Sequence, residues 1–133
     1  MNIFNWKIAL QSAVLDISVG IRIAPLTSAS EEFCIFVTEI LPGKKIGAHY
    51  HQKGIEIYGI LQGEGTLNTA DPIPEKNLCQ NIKSIAVKTG DFFNINSGIA
   101  HQLKNTADEP LILIFGCPPD HLNSDRILVD DLF

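Results

Sequence analysis

His49 and His51 stand one residue apart, Glu56 follows five residues after the second, and His101 comes well downstream. Three imidazoles and one carboxylate form a nitrogen–oxygen set that holds transition metals. A β-strand sends alternate side chains to one face, so His49 and His51 point together. At a rise of about 3.3 Å per residue their Cα atoms lie about 6–7 Å apart, a span that two imidazoles can close onto one ion. Gly54 marks a short turn before Glu56, which suits a hairpin that brings the carboxylate back beside the histidine pair. His101 must arrive from a separate strand, so the four side chains meet only if the sheet closes. Taken singly, each has a plainer reading: His-x-His as a surface ion trap, Glu56 as a strand-edge charge, His101 as a partner for a turn. Taken together they favour a metal site, because a buried glutamate without a counter-charge is costly and a cation relieves that cost.

Two further side chains are candidates for chemistry. Tyr58 shares the alternating face of Glu56 and Ile60, and is expected either to line the pocket and donate its hydroxyl to a ligand or to serve as a core aromatic. His121 lies past the last expected strand. It is either an acid–base group over the barrel mouth or, more plainly, an exposed tail residue. Phe36, Thr38, Phe93, Ile95, Leu103 and Phe115 are read as barrel filling or pocket wall.

Positioning these residues requires strands. Phe33 to Leu41 is β-branched and aromatic, apolar on both faces at its start, and stopped by Pro42-Gly43. Further strands are expected at Ile55 to Leu61, Gly65 to Thr69, Ile82 to Val87, Phe92 to Ile95, His101 to Asn105 and Leu111 to Phe115. Short strands at regular spacing predict an all-β barrel or sandwich. Asp71 to Gln80, with Pro72, Pro74 and Asn77, reads as a long loop. Helix is expected for only a turn or two, at Ala29 to Glu32 or in the tail, where Pro118 to Asn123 is otherwise irregular.

The 133 residues fit one domain, 1–133, and a hydrophobic fraction of 45% supplies a core. The charged fraction is 19% and the net charge −5. An acidic chain with scattered lysines argues against nucleic acid or an anionic membrane as partner. Cys34, Cys79 and Cys117 are odd in number and far apart, which speaks against a disulfide framework or thiolate zinc site and for a reducing, cytoplasmic setting. The stretch Ile8 to Val19 is interrupted by polar residues and is not read as a signal peptide. Edge strands of a small barrel invite pairing, so a homodimer is expected.

The residues fall into two blocks: Gly43-x5-His49-x-His51-x4-Glu56-x6-Gly63, and Gly90-x5-Asn96-x-Gly98-x2-His101-x3-Asn105. This arrangement resembles both motifs of the cupin family, over residues 43–63 and 90–105. The one departure is Asn96, where that family usually carries proline; it affects a turn and not a ligand. The resemblance implies a single-domain cupin jelly-roll barrel, also called a double-stranded β-helix. It implies one divalent transition metal (iron, manganese, nickel, cobalt or zinc) held by His49, His51, Glu56 and His101. On activity it is weak, because one such scaffold hosts many chemistries.

The leading reading is a metal-dependent enzyme acting on a small oxygenated metabolite such as a sugar, keto acid or phenol, by isomerase or dioxygenase chemistry. The stretch from Gly98 to Leu111 resembles the second motif of sugar-phosphate isomerase cupins. No cluster of inward-facing lysine or arginine is evident for a phosphate, however, and Lys104 should face away from His101. A thiol dioxygenase fits less well, since those cupins usually differ at the carboxylate position. The alternative is a non-catalytic module that binds or senses a small molecule. A structural or storage role is not favoured.

Overall fold

The computed structural model describes residues 1–28 and 32–133. A helix, α1 (Trp6–Ser12), precedes β1 (Ile21–Pro25), β2 (Cys34–Ile40), β3 (His49–Tyr50), β4 (Glu56–Gln62) and β5 (Glu64–Pro72). Then come β6 (Cys79–Lys88), β7 (Phe92–Ile95), β8 (Ala100–Lys104), β9 (Leu111–Cys117), a 3₁₀ turn at Pro119–Leu122, and β10 (Ile127–Leu128). The strands form two antiparallel five-stranded sheets, ordered β1-β2-β9-β4-β7 and β10-β3-β8-β5-β6. Both interleave strands from the two halves of the chain, the mark of a double-stranded β-helix, and the all-β expectation holds.

The main core lies between the sheets. Ile40, Tyr58 and Leu113 come from the first sheet, Leu67, Val87 and Leu103 from the second. Burying each large apolar side chain contributes roughly 1.5–3 kcal/mol. Strand β2 is buried on both faces, as its composition predicted. Thr38 and Ile40 alternate with Val37, which packs outside the sheet against Leu10 of α1.

Helix α1 was not expected from the sequence, although its signals are present. The Asn5 side chain accepts hydrogen bonds from Lys7 N at 3.0 Å and Ile8 N at 3.2 Å, capping the first turn. Trp6, Ala9, Leu10 and Ala13 recur at helical spacing and cover the first sheet. The expected turn at Ala29 to Glu32 falls largely outside the described residues, and the tail does contain a short helical turn.

The loop expected at Asp71 to Gln80 is shorter than its bounds: its two ends are strand, and 73–78 form the connecting turn. Asp71 pairs with Gln80 and Pro72 with Cys79, and Ile73 N closes the hairpin on Leu78 O at 2.9 Å. Pro72 is tolerated because β8 pairs with β5 only as far as Ala70, so no second neighbour needs its missing N–H. The unanticipated β10 pairs with β3 through Ile127↔Tyr50 and Leu128↔His49. It carries the C-terminal segment back across the second sheet, where Leu132 packs on Ala48, Ala70 and Ala100.

Candidate metal centre

Three strands deliver the four candidate ligands. His49 opens β3, His51 follows its end, Glu56 opens β4 and His101 lies in β8. His49 and His101 are direct cross-strand partners. The turn to Glu56 runs through Gly54 at φ +75°, a conformation that favours glycine. There a Cβ would also come within 3.0 Å of Pro118 Cγ. Gly98 N donates to His51 O at 2.7 Å, tying the second motif to the first.

All four side chains are buried, and one donor atom from each lies within 4.8 Å of the others. Glu56 Oε2 stands 2.9 Å from His51 Nε2, 3.1 Å from His101 Nε2 and 3.9 Å from His49 Nε2. Atoms that share one ion through bonds of about 2.1 Å lie about 3–4 Å from one another, so the separations fit.

The hydrogen bonds behind the rings say more. His49 Nδ1 faces Gly47 O at 2.7 Å, His101 Nδ1 faces Ile99 O at 3.1 Å, and His51 Nδ1 faces Asp125 O. A carbonyl only accepts, so each Nδ1 carries a proton and donates it. In the neutral rings all three Nε2 atoms are therefore lone pairs, aimed at the lone pairs of a carboxylate. Acceptors facing acceptors in a buried site repel unless a cation lies among them. This donor set fits a divalent metal, with each imidazole oriented by a backbone carbonyl.

Positive charge among these atoms is what stabilises the carboxylate. Burial acts to raise the Glu56 pKa, but the imidazoles of His101, His49 and His51, when they carry a second proton on Nε2, hold it far below the usual carboxylate range, the place a cation would otherwise fill. Burial lowers the His49 pKa. In His51 the opposing effect of burial is outweighed by Glu56 and the Asp125 carbonyl, and its pKa is raised. Burial, followed by the negative charge of Glu56, pushes the Tyr58 pKa well above that of a free phenol. Tyr58 thus keeps its phenolic proton throughout the physiological range and can act as a hydrogen-bond donor.

A cavity of about 310 Å³ opens beside the four residues, lined by Thr38, His49, Glu56, Tyr58, His121 and Arg126 among others. Tyr58 lies on its wall and is also a buried aromatic, stacked on Phe93 at 5.3 Å. The plainer reading of His121 is corrected: it is buried, not an exposed tail residue. The 3₁₀ turn folds back so that its ring stacks on His51, with centroids 3.7 Å apart and planes 2° from parallel. Lys104 does turn away, its Nζ lying 5.4 Å from the Phe133 ring. Asn105 is structural: its side chain donates to Ile40 O and Glu109 O and accepts from Ala107 N.

Sequence reasoning missed Asp125 and Arg126. The Asp125 backbone orients His51, and its carboxylate accepts from Gln52 N at 2.7 Å and Lys53 N at 3.0 Å. No periodicity in the tail signals either residue, since a non-repetitive segment places them.

Comparison with known proteins now defines the class. The model of the cupin domain family matches residues 36–117, more than half of the chain. The chain belongs to the cupin family. A curated relative, the oxalate-binding protein of Thermotoga maritima, is 34% identical over 70 residues, or 53% of this chain. The chain spans about half (49%) of that relative's length. Among solved structures, a double-stranded β-helix protein from Klebsiella pneumoniae superposes with a TM-score of 0.73 at 18% identity, over 98% of this chain and 99% of that one. A predicted oxalate decarboxylase from Thermotoga maritima gives 0.60 at 26% identity, over 82% and 81%. A capsular polysaccharide assembling protein from Staphylococcus aureus gives 0.74 at 16% identity, over 90% of this chain but 32% of that one.

Proposed function

We propose that this cupin is a metal-dependent enzyme acting on a small oxygenated metabolite bound beside the cation. One observation carries this reading: three imidazoles, each fixed by a backbone carbonyl, present Nε2 together with Glu56 next to a cavity walled by Tyr58 and His121. A bound divalent metal supplies Lewis acidity to a ligand oxygen. Tyr58 supplies a hydrogen-bond donor to the ligand, and His121 is a candidate acid–base group above His51. Isomerase and dioxygenase chemistry both suit such a site. The curated relative named for oxalate binding and the structure described as a predicted oxalate decarboxylase, both from Thermotoga maritima, support a small carboxylic acid as the ligand. The name of the first also supports the second reading, a module that binds its acid without turning it over.

Metal-loaded, tag-free protein screened against small acids, sugars and phenols decides between the two. The enzyme reading expects metal-dependent turnover that falls by about 10²–10³-fold in Tyr58→Phe, the usual cost of removing one hydrogen-bond donor from a reacting oxygen. Saturable binding with no product across the screen would establish the binding module instead.

We further propose a homodimer and a cytoplasmic setting. Strand β6 is a ten-residue edge with half-exposed Ile82 and Ile85. Cys79 and Cys117 are free thiols, which suits a reducing compartment. Among the described residues, no helix is long and apolar enough to cross a membrane. Light scattering is expected to give twice the chain mass, and a monomer mass at working concentration would remove the dimer.

A further inference from the structure

Among the described residues, three buried side-chain polar atoms have no hydrogen-bond partner: Arg22 Nε, Thr38 Oγ1 and His121 Nδ1. The last two belong to side chains that line the cavity beside the four candidate ligands. Both residues are nearly inaccessible, Thr38 at 2% and His121 at 3% exposure. An unsatisfied buried polar atom is costly, and two of them at one cavity call for a common explanation.

Their chemistry is specific. His121 Nε2 faces Lys53 O at 2.6 Å and must donate to it, since a carbonyl only accepts. That places the proton of the neutral ring on Nε2 and leaves Nδ1 as an acceptor. Thr38 Oγ1 can donate or accept. A ligand group satisfying both must itself be able to donate, as a hydroxyl does and a carboxylate oxygen does not.

The charge comes from Arg126. It is the cavity's one lysine or arginine, exposed at the rim, with a terminal nitrogen close over Gly47. Among the described residues no carboxylate forms an ion pair with it. A guanidinium presents a fork of N–H donors that matches a carboxylate. Ile23, Ile46, Leu113, Phe115 and Leu122 make up most of the remaining wall, a surface for hydrocarbon.

We infer that the ligand is a small 2-hydroxy carboxylate with an aliphatic tail, its carboxylate paired with Arg126 and its hydroxyl satisfying His121 and Thr38. The inference rests on the reading of the site as a metal centre that binds a small acid, and it names the class of acid. One arginine suits a monoanion, and the apolar wall suits a tail that oxalate lacks. Arg126 and Thr38 are then specificity-determining residues.

The test is calorimetric titration of tag-free, metal-loaded protein with four probes: 2-hydroxyisocaproate, isocaproate without the hydroxyl, 2-hydroxyisocaproamide without the charge, and oxalate. The hydroxy acid is expected to bind most tightly, with each deletion costing about tenfold. Arg126→Gln should weaken the hydroxy acid about tenfold or more and leave the neutral amide unchanged. Thr38→Val, nearly isosteric, should reduce the preference for the hydroxyl. Both variants should keep the wild-type metal content, measured on the same samples.

No detectable binding of the hydroxy acid, tighter binding of oxalate, or unchanged affinity in Arg126→Gln would overturn the inference. Wild-type protein that takes up no metal would instead overturn the reading beneath it, so the two failures are separable.

Discussion

His49 and His101 are paired directly across β3 and β8, with ring centroids 4.4 Å apart. They stand 52 residues apart in the chain, and the register of a two-residue strand brings them together. Because one registry step would turn a side chain to the other face, the hydrogen-bond ladder itself selects which side chains meet. His101→Ala is therefore expected to remove a ligand without disturbing the ladder, and Glu56→Gln to remove the anion with little change of shape. Each should weaken metal binding by more than about a hundredfold, beyond what the loss of an outer-shell partner usually costs. Elemental analysis of tag-free protein checks this, and undiminished metal content would withdraw the ligand assignment.

The acceptor-facing-acceptor arrangement of Glu56 and the three Nε2 atoms implies that a bound cation stabilises the folded chain. A metal at a hundred times its dissociation constant adds about 2.7 kcal/mol to a fold that binds it only when native. Thermal melting should rise on metal addition and fall in chelator. The difference should vanish in Glu56→Gln. A melt indifferent to chelator in the wild type would count against the site.

Gly54 lies against Pro118 and the His121 ring, which stacks on His51. Its φ of +75° is strained for other residues, and an added Cβ would lie 3.0 Å from Pro118 Cγ and 3.4 Å from His121 Nε2. Gly54→Ala is expected to cost about 1–3 kcal/mol and to loosen the stack. Urea denaturation measures the first effect, and the His121 ring resonances report the second. A stability unchanged within a few tenths of a kcal/mol would contradict this account of the turn.

Cys117 is buried at the end of β9, and burial, together with the charge of Glu56, pushes its thiol up to about 12 from an ordinary 9.0. A raised pKa means that the folded state holds its proton longer than the unfolded chain. The stability tied to this proton is intact below pH 9 and is lost as the pH rises from about 9 to 12. Iodoacetamide mapping at pH 8 should modify the partly exposed Cys79 first and reach Cys117 only on unfolding. Rapid alkylation of Cys117 in native protein would refute the placement.

Much of the fold was legible because β-strands announce themselves locally. Strand β7 coincides with its expected bounds, and β2, β4, β8 and β9 lie within two residues of theirs at either end. The candidate ligand set was legible for a related reason. The spacing His49-x-His51 puts two imidazoles on one face, and the glycines show where the chain turns.

What the sequence left hidden depends on distant packing. Helix α1 is amphipathic and β2 reads as covered on both faces, but nothing local says that the one covers the other. Pro72 reads as a strand breaker until it is seen to have a neighbour on one side only. The tail was the least legible part, since residues 118–126 carry no repeat, and yet they bring His121 onto His51, the Asp125 carbonyl onto Nδ1 of His51, and Arg126 to the cavity. Residue types and spacing, by themselves, determined an all-β chain with a three-histidine, one-glutamate set able to bind a metal. Only the tertiary structure decided what surrounds that set. Periodicity encodes which way a side chain faces its own sheet, whereas the partners of an irregular segment are set by the surface it folds onto.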